Sequence, residues 1–148
     1  MADLPIFLTH IKTVISQQTW FTECGLTPAQ IYKQFLPQIK DPIYPCITLG
    51  YESDPSELFA DIENGSLYLD IYSKDFNLPW TISNYLKKPP DKGGFHNYHY
   101  ADDTLIVFQM LYLGGAGVKR ATPLSTVPTF DTSLNAWVSQ LEFGVRLG

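Results

Sequence analysis

The chain has 148 residues, 45% of them hydrophobic and 17% charged, and a formal net charge of −5. That length suits one domain with a sizeable core of its own. An acidic, charge-poor chain lacks the clustered Lys and Arg that tight binding to a phosphate backbone requires, and no apolar run reaches the ~18 residues of a membrane span.

Residues 3–18 read as an amphipathic helix. Leu4, Phe7, Leu8, Ile11, Val14 and Ile15 recur at three- and four-residue steps, with Asp3 as a cap and Pro5 in the first turn. The same stretch lacks the basic leader and long apolar run of a signal peptide. Residues 27–36 carry two patterns. Thr27, Pro28 and Gln30 resemble a capping box that opens a short helix. Ile31, Tyr32 and Phe35, with Pro37, suit a short edge strand, which is the reading adopted. "YPCITLGYE" at 44–52 predicts a buried strand. Residues 54–65 read as connecting sequence, and Asn64-Gly65 signals a turn.

A regular alternation then begins. Leu67, Leu69 and Ile71 point to the core, while Tyr68, Asp70 and Tyr72 form a half-exposed face. A helix follows over 78–88, with Pro79 in its first turn, Pro89-Pro90 as its stop, and Trp80, Ile82, Tyr85 and Leu86 as its apolar side. Residues 91–103 suggest a loop or weak strand. Residues 104–114 are apolar on both faces, as a central strand requires. Residues 114–133 form a long Gly/Pro/Thr arm without periodicity, a length usually tied to function. In the closing strand, Trp137, Ser139, Leu141, Phe143, Val145 and Leu147 face one way; Gln140, Glu142 and Arg146 face the other. This order predicts an α+β fold: one domain over 1–148, a mostly antiparallel sheet, and two helices packed on one face.

Chemistry is sparse. His96 and His99 with Asp102 and Asp103 could draw a metal site, but their spacing matches no strong ligand signature, and solvated loop groups are the reading adopted. "GGAGVK" lacks the spacing of a phosphate-binding loop and no helix opens after it. Cys24 and Cys46 lack C-x-x-C spacing and read as reduced, partly buried thiols. Asp70 and Glu142 could face each other as paired carboxylates if their strands were neighbours. Both occupy polar strand positions where acids are routine, so a surface role is the reading adopted. No catalytic constellation, cofactor site or metal site is expected. By contrast, nine Tyr, nine Phe and three Trp beside so few charges suit a surface that partners cover.

An N-terminal helix, the Pro-entered strand "YPCITLG", the strand "NGSLYLDIYSKD" with a helix directly after it, and the closing strand "AWVSQLEFGVRLG" together resemble the tail terminator or head–tail joining proteins of long-tailed bacteriophages. The resemblance spans residues 3–148 and rests on order and spacing. It implies a structural virion protein without enzymatic activity. Such proteins form rings, most often hexamers, that cap the tail tube in the virion neck after assembly in the host cytoplasm. The implied partners are further copies of the chain, the tail tube protein, and a head connector or stopper. DNA would pass through without sequence-specific binding, and no membrane is involved. A connector or stopper ring is the alternative identity, and a small metal- or ligand-binding enzyme domain a more distant one. Within this reading, Gly115, Val118, Lys119, Arg120, Val127 and Phe130 are candidate interface residues of the arm. Asp61, Glu63, Asp70 and Glu142 are candidate acids of a pore or its rim, where negative charge would keep DNA from sticking.

Overall fold

Leu67, Leu69 and Ile71 alternate along one strand and are all fully buried, and the architecture is built around that row. The computed structural model describes residues 4–33, 39–53, 63–102, 106–112 and 127–147. Among these residues three α-helices, α1 (Leu4–Ser16), α2 (Thr19–Glu23) and α3 (Asn77–Leu86), accompany seven strands. The strands are β1 (Ile31–Tyr32), β2 (Cys46–Ser53), β3 (Glu63–Ser73), β4 (Tyr98–Asp102), β5 (Ile106–Tyr112), β6 (Thr129–Asp131) and β7 (Ala136–Leu147). They form one sheet in the order β1-β2-β3-β7-β5-β4, with β6 paired to the start of β7. Among the described residues only the short β1–β2 pair is parallel. This is a single α+β domain whose mixed sheet curls into a half-barrel.

Parity decides which residues meet. Leu67 pairs with Phe143, Leu69 with Leu141 and Ile71 with Ser139, so β3 and β7 bury the same face. Ile47 and Leu49 of β2 extend that face on one side and Met110 of β5 on the other. Phe7, Ile11 and Ile15 of α1 and Ile82 and Leu86 of α3 join the same apolar cluster. Both helices therefore share one apolar cluster with Leu67, Leu69 and Ile71. Each such side chain contributes ~1.5–3 kcal/mol when fully removed from water.

The helix ends are closed by tertiary contacts. Trp20 of α2 stacks on Tyr85 of α3 with ring centroids 5.6 Å apart, and its indole Nε1 donates to the Gly93 carbonyl at 2.9 Å. After Pro89-Pro90 the chain turns back, and the Phe95 N–H donates to the Leu86 carbonyl at 3.0 Å. Phe95 is thereby driven into the core against Tyr98 and Phe143. Gly94 is required in this return, because a Cβ there would collide with the Lys88 carbonyl.

Several expectations are corrected. Asn64-Gly65 is no turn: both residues lie inside β3, paired with Arg146 and Val145. The glycine serves close approach instead, since a Cβ at Gly65 would meet the Tyr51 hydroxyl and the Glu52 carbonyl oxygen. Both readings of 27–36 survive in part. Pro28–Gln30 form a single 3-10 turn, with the Thr27 N–H donating to Gln30 Oε1 at 2.8 Å, and β1 follows at once. Residues 34–38 lie outside the described residues. α2 was not expected. The 91–103 stretch contains a true edge strand, β4. β5 has neighbours on both sides but lies one strand from the edge. Of the arm at 114–133, residues 129–131 are β6, paired with β7, and 114–126 lie outside the described residues.

The packed face sets the energetics of substitution. Phe143→Ala should cost about 3–5 kcal/mol, as large-to-small changes in packed cores do, whereas Gln140→Ala, on an exposed side chain, should stay within about 0.5 kcal/mol. Urea denaturation of the two variants checks this, and similar midpoints would reject the assignment of faces.

Candidate assembly surface

On the outer face of the sheet, Asp70 is opposite Thr48 on one side and Gln140 on the other, with Tyr68 and Tyr72 two residues away along β3. Tyr68 donates its hydroxyl proton to Glu52 Oε2 at 3.2 Å. This face is less exposed than its polar sequence suggests. Asp70 is half-buried, and burial pushes its carboxyl up to about 6. Burial also raises the Tyr72 phenol, to which the Asp70 charge adds. Glu142, expected on an exposed face, is fully buried opposite Tyr68 and presents no surface in the single chain. Glu63 is half-buried near the Tyr51 hydroxyl; burial first, then the Glu63 charge, pushes that phenol up to about 12. Asp61 lies outside the described residues. β3 and β7 are indeed neighbours, yet Asp70 faces Gln140, with Glu142 diagonally placed beyond Tyr68 on the same face.

The lower end of the same face carries a small second core. Cys46, Tyr72 and Val138 are buried together, with Tyr32, Ile39, Tyr44 and Leu134 packed around them. Burial pushes the Cys46 thiol up to about 12, so it is not a thiolate at neutral pH; the Cys24 thiol is raised by burial and then by Glu23. Lys74 closes this end. Its ammonium donates to the Asn135 carbonyl at 2.7 Å and the Leu134 carbonyl at 3.3 Å, and stands 4.7 Å above the centre of the Tyr44 ring. In the β6–β7 turn, Asp131 Oδ1 accepts from the Ser133 hydroxyl at 2.6 Å and from the Ser133 and Leu134 N–H groups. Those bonds, the Ser133 hydroxyl first, hold the Asp131 carboxyl below its usual range.

Around this end the structure leaves large apolar side chains exposed. Phe130 is 46% exposed and Phe76 41% exposed, and both set their rings edge-on against Trp137 at 5.2 and 5.0 Å. Trp80, 43% exposed, stands one helical turn after Phe76. Val127, 52% exposed, precedes β6, and Ile43, 56% exposed, precedes β2. Ile6 on α1 is the other large exposed apolar residue among those described. Trp80 therefore leaves the apolar side of α3, where buried Pro79 and Ser83 join Ile82 and Leu86. Trp137 is half-buried rather than part of the core row.

Of the six arm residues expected at an interface, the structure brings Val127 and Phe130 to this end; Gly115, Val118, Lys119 and Arg120 lie outside the described residues. Reading the sequence missed Phe76, Trp80 and Ile43. The signal for Phe76 was available, since an aromatic in the polar "SKDFN" link between strand and helix has no periodic partner to bury it.

His96 is exposed in the turn before β4, His99 is exposed within β4, Asp102 ends that strand, and Asp103 lies outside the described residues. Among the described residues no three His, Cys, Asp or Glu side chains gather as a metal site, and no helix is long and apolar enough to cross a membrane. His10, which the sequence did not single out, pins α1 to β4: its Nε2 lies 3.0 Å from the Tyr98 hydroxyl and its ring 3.9 Å from the Tyr100 ring centre. No protein-family model, curated protein or solved structure matches the chain.

Asp70 gives a pH dependence with a definite sign. Its folded pKa lies above the ordinary value of 3.8, so folding holds its proton more tightly. The stability it contributes is complete below pH ~4, falls as the pH rises to about 6, and is flat above that. Asp70→Asn should therefore be more stable than the native chain at pH 7.5, and the gain should fade toward pH 4. Thermal melts across that range measure it; a gain independent of pH would show that the carboxyl is solvated in the folded state.

Proposed function

We propose that the chain is a non-enzymatic structural subunit that closes into a ring at the end of a phage tail tube, a tail terminator in the virion neck that joins tail to head. The observation that carries this reading is exposed Phe76 and Phe130 set edge-on against Trp137, with exposed Trp80 one helical turn after Phe76 and exposed Val127 three residues before Phe130, in a charge-poor chain. Aromatic side chains dominate interface centres, and isolated soluble domains rarely leave several together in water. The occupant we assign to this end is the next copy of the chain. A heterologous contact repeated by a fixed rotation closes into a ring, and a hexamer is the expected size. The order of elements, with its resemblance to phage neck proteins, supports the same reading.

In that ring Asp61, Glu63 and Asp70 are the proposed acids of the pore or rim. The buried position of Glu142 removes it from the set unless assembly exposes it. A lumen without clustered basic groups lets DNA slide, since Lys and Arg would hold phosphates in a salt-dependent way. The tail tube protein and a head connector or stopper would meet the two ring faces, and no cofactor is needed.

Electron microscopy of the purified protein, alone and with tail tubes, tests the proposal. Closed rings seated at the head-proximal tube end are expected. Rings seated elsewhere in the neck would make the chain a connector or stopper, and a monomer on finished tails would overturn the ring itself.

The interface makes its own prediction. Trp80→Ser and Val127→Ser should each leave the melting of the subunit nearly unchanged, because both side chains are exposed. Together they should weaken ring formation at least about thirtyfold, the equivalent of one interface hot spot of ~2 kcal/mol. Sedimentation velocity on the double variant reads this out; rings as stable as the native ones would place the contact elsewhere.

A further inference from the structure

We draw no further inference here: the strongest candidate, the three acids Glu52, Asp70 and Glu142 in successive rows on the outer face of the sheet, is an acidic cluster at which nothing among the described residues points to a ligand.

Discussion

The pairing of β3 with β7 is the constraint on which the rest of the molecule depends. It runs the whole length of β3, from Glu63 opposite Leu147 to Ser73 opposite Trp137. Because side chains alternate with period two, that one alignment fixes both faces of the sheet at once. It sets Leu67, Leu69 and Ile71 beside Phe143, Leu141 and Ser139, giving α1 and α3 an apolar floor. A shift by one residue would turn this floor outward and bring Tyr68, Asp70 and Tyr72 under the helices. β2 and β5 then add to either side with their own alternation in phase.

The same alignment makes the outer face more than a solvated surface. Cys46, Tyr72 and Val138 lie in one row across three strands and form a second apolar cluster that, among the described residues, includes no residue of a helix. Asp70 sits one row further along, next to that cluster, which is why its charged form is disfavoured. The carboxyl is half-buried rather than a freely solvated surface acid. Its role in the single chain is that of a costly polar group on a strand whose opposite side does the packing.

Periodic segments were legible in the sequence, and segments defined by long-range contact were not. The stripe of Phe7, Ile11 and Ile15, the alternation from Leu67 to Ile71, and the row Leu141, Phe143, Val145 and Leu147 each declare a buried face, and all are buried. Asn64-Gly65 misled because a strong local turn signal competes there with pairing on both sides of the strand; tertiary pairing won. Trp80 misled because hydrophobicity says nothing about which side of a short helix meets the sheet, and Ser83, with its small volume, took the inward place. Glu142 misled for the converse reason: alternation predicts the face but not whether other chain covers it. The exposed end was half legible. Val127 and Phe130 stood out as apolar residues in an aperiodic arm, but their meeting with Phe76 through Trp137 depends on β6 pairing with β7, 60 residues' worth of chain away from the β3–α3 link.

The Lys74 clasp bears on how this end would meet another surface. Its ammonium ties the link between β3 and α3 to the β6–β7 turn and to the Tyr44 ring ahead of β2, three segments far apart in sequence. The aromatic side chains that project beside it are thus carried by backbone already fixed in place. Association normally loses free energy by ordering loops and rotamers at the contact. Here much of that ordering is completed when the chain folds, so in the assembly proposed above the end would act as a preformed die rather than a surface moulded on contact.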